Sequence, residues 1–362
     1  MAAQDLASQL LHPHLGFVLF FCSAEYPLDR LALSLERHFG GVALAGCTSA
    51  GEISARGYER GCVSAIGFDH RAFAVDCLLI SALDEFRLVD AQRAVEGMLT
   101  ACRHTDLAPI KDHTFALTLL DGLSSREEVV LATLSAALGS IPHFGGSAGD
   151  DNHLSHTHVY HKGAFHSGAA VVVMFNTWLD FEVFTTHHLH PREEKLVVTA
   201  ADSASRTVFE LNAEPAAEEY ARLVGLPVTE LRLSHFALNA LAVRIRDQFY
   251  VRSIQRVNPD NSLTFYCAVD TGIVLTAMQS GSLLADLRVQ LADLKERLGE
   301  PVLIIGCDCF LRRMEAELRG EAEAMSEFLS ANGVVGFNTY GEQFNGMHIN
   351  QTFTGVAFAI PR

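Results

Sequence analysis

Apolar positions along the chain switch between strand spacing and helical spacing, and the switch recurs three times. Residues 17–22 form a continuous apolar run of strand length. Leu28, Leu31, Leu35 and Phe39 then fall on one helical face, and an apolar stretch ends in AGCTSAGE. A further apolar strand follows at 62–68. Residues 115–150 repeat the plan: a strand at 115–120, a helix beginning near Ser125, and the phrase FGGSAGDD, then an apolar strand at 169–175. Ser125 and Glu128 stand at capping-box spacing for that helix. Residues 302–342 repeat it again. A strand at 302–305 runs into GCDCF, a helical stretch carries Met314, Leu318, Met325 and Leu329, and VVGFNTYGEQ precedes a last strand within 352–360.

The copies share a phrase, G-x-x-[STY]-x-G-[DE], read in GCTSAGE, GFNTYGE and, displaced by one, GGSAGDD. Its glycines suit positive φ or a close backbone approach. Its acids, Glu52, Asp150 and Glu342, suit capping of exposed N–H groups. An internal repeat at this period points to one supersecondary unit used three times.

The rest of the chain reads more coarsely. Strands are expected at 72–80 and 180–188, and a helix at 88–102 links the first two copies. Strands 196–200 and 207–211 pair. A helix at 214–223 follows an Asn212 cap, and 242–257 with 262–274 form a hairpin turning at NPDN. Leu284, Leu287, Leu291, Leu294 and Leu298 make a narrow helical seam, which suits a core or a homodimer contact. The expected class is α+β: repeated β-α-β-β units in mixed sheets covered by helices, with two pseudo-related halves meeting near 202–206.

Composition narrows the function. The 362 residues include 43 acidic and 27 basic side chains, a formal charge of −16, which argues against a surface that tracks nucleic-acid phosphates. The eight cysteines are scattered through apolar runs, as reduced core thiols are. The start lacks a basic secretory n-region and no run of about 18 apolar residues occurs, so a cytoplasmic protein with no membrane association is expected. P-loop, zincin, c-type haem and dinucleotide signatures are absent. GGSAG matches the letters of a nucleophile elbow around Ser147, but polar DDNH follows where a hydrolase needs a helix.

Three clusters carry candidate chemistry. Eight histidines lie between positions 153 and 190; neutral imidazole ligates haem iron and first-row metals. Cys307 and Cys309 flank Asp308 on one strand and share a face. Asn338, Tyr340, Glu342, Gln343, His348, Asn350, Gln351 and Thr352 crowd the C-terminal turns, suiting either a small-ligand pocket or loop satisfaction. Arg252 interrupts an apolar strand, as an anion clamp or an ion-paired residue would.

The phrases GCTSAGEIS, FGGSAGDD, LNAEPAAEEYARLVG, YVRSIQ, VLIIGCDCFLRRM and GFNTYGEQFNGMHINQTFTGVAFA, in this order, resemble FIST sensory proteins over nearly the whole chain. The resemblance implies a FIST N-terminal domain at 15–205 and a C-terminal domain at 206–362, without catalytic activity. GEQFNGMHINQTFTG and FTTHHLHPREEKLVVTAAD look most like the nitric-oxide-sensing haemoproteins of that family, called NosP. That likeness implies haem b, nitric oxide at its iron, and output through a partner histidine kinase or cyclic-di-GMP enzyme. His188 is the expected iron ligand, with His187, His190 and His348 in reserve. A FIST module for a small metabolite such as an amino acid is the alternative, with Arg252, Asn338, Glu342 and Asn350 as ligand-binding residues. An unrecognised hydrolase using Asp308 or Cys309 is the third reading.

Overall fold

Each repeated segment folds into the same five-part unit. In the computed structural model, which describes residues 2–151 and 153–361, an opening strand passes through helix into a parallel partner. A short hairpin and an antiparallel return strand follow. The opening strands are Leu15–Ser23, Thr114–Leu120 and Leu303–Cys309. Their parallel partners are Ala43–Ser49, His143–Ser147 and Val334–Thr339. The return strands are Val63–Asp69, Ala170–Thr177 and Phe353–Ala359. The third copy places two helices, Phe310–Arg319 and Ala322–Ala331, where the others have one.

The hairpins do not stay with their own sheets. The first copy's, Glu52–Ser54 with Gly57–Glu59, pairs with the third copy's Val334–Thr339. The third copy's, Glu342–Phe344 with Met347–Ile349, pairs with the second copy's His143–Ser147. The second copy's, Val159–His161 with Ala164–His166, pairs with the first copy's Ala43–Ser49. The exchange closes on itself, so each unit covers a sheet edge of another.

Strand alternation then builds one core and three shells. Phe17, Leu19, Phe21, Phe115, Leu117, Leu119, Ile305, Cys307, Phe337 and Phe358 point inward to a shared cluster. The alternate residues point outward under helices. Val18 and Phe20 meet helix Leu28–Phe39, Ala116 and Leu120 meet helices Leu88–Thr105 and Glu127–Leu138, and Ile304 meets helix Leu283–Leu298. The leucine seam of that last helix buries Leu283, Leu287, Leu291 and Leu294 in the chain's own core, so the seam serves packing and not a dimer contact.

The shared phrase has a steric cause. Gly46, Gly145 and Gly336 occupy one register position in the three sheets. A Cβ there would lie 2.3 Å from the Phe20 carbonyl oxygen, 1.9 Å from that of Thr118 and 1.8 Å from that of Gly306. The acids follow the symmetry in two copies. Ser49 Oγ and the Cys62 amide donate to Glu52, at 2.5 and 3.2 Å. Thr339 Oγ1 and the Thr352 amide donate likewise to Glu342, the latter at 3.0 Å. Asp150 is not their equivalent. Val159 holds that register, because residues 150–151 and 153–158 belong to an extra loop. Asp150 caps that loop by accepting from the amides of Leu154, Ser155 and His156 at 2.6–2.8 Å. In this copy Asp121, at the end of the opening strand, accepts from Thr157 and the Gly168 amide instead.

Residues 189–280 form a separate eight-stranded sheet inserted between the second and third copies. Helix Ala216–Val224 packs on it through Ala217 and Tyr220. Leu189–Asp202 and Thr207–Leu211 pair across the polar turn at 203–206, so residues 205 and 206 sit at the tip of one hairpin. The 242–257 stretch is three strands: Leu241–Ile245 and Gln248–Arg252 pair as a hairpin of their own, while the NPDN turn joins Ile254–Val257 to Leu263–Phe265. Ser125 does not cap the second copy's helix: it adopts φ 53°, and Ser124 faces Glu127 instead. Asn212 likewise caps no helix end; its side chain binds the Val197 amide and Glu219.

Two stability outcomes follow. Gly336→Ala drives a methyl into the neighbouring carbonyl and is expected to lower stability by about 3 kcal/mol, whereas Gly97→Ala, in open helix, raises it by up to about 1 kcal/mol. Denaturant unfolding of both variants reads this. Burial pushes the Glu342 carboxyl up to about 7 from an ordinary 4.5. The native state therefore holds a proton that the unfolded chain has lost, and this group makes stability fall as pH rises from 4.5 through 7. Glu342→Gln should flatten the wild-type decline between pH 5 and pH 8 by on the order of 3 kcal/mol.

Candidate functional site

A cavity of about 590 Å³ opens where the three-copy body meets the inserted sheet. The end of strand Asp180–Thr186 forms one wall, the Gln248–Arg252 strand another, and the third copy's hairpin the floor. Phe184, Phe249, Tyr250, Phe344 and Ile349 supply apolar surface, and His187, Gln248 and Gln290 supply polar groups. Such a mixture at a junction between two folding units is what small-molecule sites use. Arg244 lies over the Phe249 ring, 5.9 Å from its centroid.

The two adjacent histidines, in the link between strands Asp180–Thr186 and Leu189–Asp202, separate at this point. His187 faces the cavity. Its only hydrogen bond among the described residues is a long one, 3.4 Å from the Leu189 amide to Nδ1. Burial, and the charge on Arg312, hold it below the usual histidine range, so the ring is neutral. His188 turns the other way and is wholly buried. Its Nε2 lies 2.7 Å from Glu315 Oε2 and its Nδ1 2.9 Å from Arg312 Nη1. Arginine can only donate, so Nδ1 accepts and the ring proton sits on Nε2, given to Glu315. No lone pair remains for iron, and His188 is corrected from ligand to structural link. Burial holds His188 below its ordinary value. Burial would raise Glu315, but bonds from His188 and Ser280 and the charge of Arg319 hold it low.

The reserve histidines go elsewhere. His190 is exposed, on the side where a Cβ at Gly281 would press its Nε2 at 2.8 Å. His348 is buried, its Nδ1 3.2 Å from Glu128 Oε1. The proposed ligand-binding foursome does not converge. Asn338 Oδ1 accepts from Arg313 at 2.9 Å, and Glu342 is surrounded by its own threonines. Arg252 and Asn350 do share one junction: Arg252 donates to the His348 carbonyl and Asn350 accepts from the Ser253 amide.

The hydrolase elements are likewise built into the interior. Cys307 and Cys309 are fully buried, and burial pushes both thiols well up. Asp308 is held by Arg312 at 2.8 Å and by Tyr58. Ser147 is fully buried inside a strand, with no hydrogen-bond partner for its Oγ among the described residues, and no base stands beside it. Arg312 and Glu315, which immobilise His188, escaped the sequence reading because charged helix residues normally face water. The signal for them was their spacing: Arg312 and Glu315 stand three apart, so they share one face of the helix.

Loss of the His188 ring leaves Arg312 and Glu315 buried and part-satisfied. His188→Ala is expected to lower stability by about 3 kcal/mol near pH 8. That difference shrinks below pH 6.5, because the wild-type imidazole resists protonation in the fold but not in the unfolded chain. Urea unfolding at pH 8 and pH 5.5 measures both.

No curated protein matches the chain. The family model described as the FIST N domain matches residues 16–214, and that described as the FIST C domain matches residues 216–345. These domains mark sensory signal-transduction modules, and the chain belongs to the FIST family.

Proposed function

We propose that this chain is a ligand sensor whose effector occupies the cavity between the body and the inserted sheet. Its effector is haem b, held by His187 in place of His188. The carrying observation is a neutral imidazole, held by one long hydrogen bond, facing a cavity with aromatic walls. Moving the ring proton from Nε2 to Nδ1 gives up only the 3.4 Å Leu189 contact, which is weak at that length, and frees Nε2 as a donor to iron. Phe184, Phe249, Phe344 and Ile349 offer faces for a flat macrocycle, and Arg244, over the Phe249 ring and paired with Asp247, is a cation for a propionate. Bound haem would supply a ferrous iron with affinity for nitric oxide.

The chain's own part is transmission. Residues 187 and 188 are the link between strand Asp180–Thr186 of the body and strand Leu189–Asp202 of the insert. A pull on His187 therefore acts at a joint whose next residue is clamped to helix Phe310–Arg319 through Glu315 and Arg312. A shift there biases the insert against the body, a two-state surface change that a partner histidine kinase or cyclic-di-GMP enzyme reads.

Hemin titration of the full chain tests this. One equivalent should bind with a sharp Soret band, His187→Ala should abolish or markedly shift that band, and nitric oxide should shift it in the wild type alone. Equal spectra for wild type and His187→Ala would overturn the assignment. The polar rim of Gln248, Gln290 and Tyr250 favours a second reading, a small polar metabolite. Its mark would be colourless protein whose melting temperature rises with an amino acid and not with hemin.

A further inference from the structure

Away from the cavity, three potential metal ligands from three separate parts of the chain converge. Glu128 comes from the second copy's helix Glu127–Leu138, Cys267 follows strand Leu263–Phe265 of the insert, and His348 lies in the third copy's strand Met347–Ile349. Their ligand atoms all lie within 4.8 Å of one another. Cys267 and His348 are buried, while the Glu128 side chain keeps 30% exposure and forms the approach from solvent.

The geometry favours a cation over a catalytic triad. His348 Nδ1 faces Glu128, 3.2 Å from Oε1. Two ligand atoms on one tetrahedral zinc, each at about 2 Å, stand about 3.3 Å apart. His348 Nε2 is closed off: a Cβ on Gly341 would approach it to 2.1 Å, and it has no hydrogen-bond partner among the described residues. A Cys-His nucleophile would need access for a substrate, and Cys267 is fully buried. The surroundings are those of a supported metal centre. Glu128 Oε1 also accepts from the Ala268 amide at 2.7 Å, and its Oε2 is held by Arg206 at 2.6 Å, with Glu127 on the same guanidinium. Asn350 Oδ1 lies 3.0 Å from Cys267 Sγ as a candidate fourth donor, and the Asn350 Nδ2 and Ser253 Oγ are buried without hydrogen-bond partners among the described residues.

We infer that Glu128, Cys267 and His348 form a binding site for a divalent metal ion of borderline softness, Zn²⁺ being the ion that a sulfur, nitrogen and oxygen set selects. The ion ties the insert to the second and third copies. This site is independent of the occupant of the large cavity.

Chelator-stripped full-length protein titrated with Co²⁺, as the spectroscopic stand-in, tests the site. The expected result is saturation at one equivalent, with a thiolate-to-cobalt charge-transfer band and visible bands of tetrahedral intensity that Zn²⁺ abolishes. Cys267→Ser should remove the charge-transfer band. His348→Gln should weaken binding at least 100-fold and Glu128→Gln at least tenfold, and Cys62→Ser and His187→Ala should bind as wild type does. Near-ultraviolet circular dichroism of each variant verifies its fold, and the near-isosteric Glu128→Gln serves if the cysteine or histidine variant fails to fold. No saturable thiolate band in the wild type, a band retained in Cys267→Ser, or unchanged affinity in Glu128→Gln would overturn the site. Because His187→Ala separates the two, hemin binding can fail while this site stands, and the reverse.

Discussion

Three short hairpins, each donated to another copy's sheet, hold the body together. An unpaired sheet edge exposes a row of amides and carbonyls that must find partners. Here the hairpin at 52–59 covers the third copy, the hairpin at 342–349 covers the second, and the hairpin at 159–166 covers the first. No copy completes its own sheet, so the three depend on one another. The same closure turns the inner strand faces toward one aromatic core, in which Phe115 and Phe175 stack, as do Phe21 and Phe337.

That dependence explains why the polar phrase of each repeat lies deep inside. Inside the second parallel strand of each copy the backbone must pass a carbonyl of the opening strand without a side chain intruding on it, and hairpin exchange starts where that strand ends. The glycines meet that need, and Glu52, Glu342 and Asp121 absorb the amides left over at the crossings. The polar residues around the C-terminal turns are therefore in large part scaffolding, and Glu342 and Asn338 belong to that scaffold. Arg252, Asn350 and His348 differ because they lie where the insert joins the ring.

The insert gives the molecule its second level of organisation. It leaves the body after Thr186, returns at helix Leu283–Leu298, and packs on the ring through Ala237 and Tyr266 against Phe310, Leu311 and Tyr340. The buried His188, Arg312, Glu315 and Ser280 network lies on one side of that attachment, and Glu128, Arg206, Cys267 and His348 on another. Buried charged pairs of this kind add little net stability but strongly penalise misplacement of a partner. They fix how the insert seats on the ring.

Much of the architecture was legible in the order of residues. Helical and strand spacings mark the repeat units, the recurring glycine phrase marks their equivalent turns, and the leucine face of 283–298 marks a buried helix, because periodicity reports directly which side of an element meets the core. His187 and His188, in the link between two strands, face opposite ways. Which of the two would face a cavity was decided only by packing. Nothing local to residues 180–190 announces Arg312 and Glu315 more than 120 positions later, and nothing near His348 announces Glu128 or Cys267. Contacts between groups distant along the chain arise from the exchange of hairpins and the seating of the insert, and those depend on how whole faces fit, which spacing within a single segment does not encode.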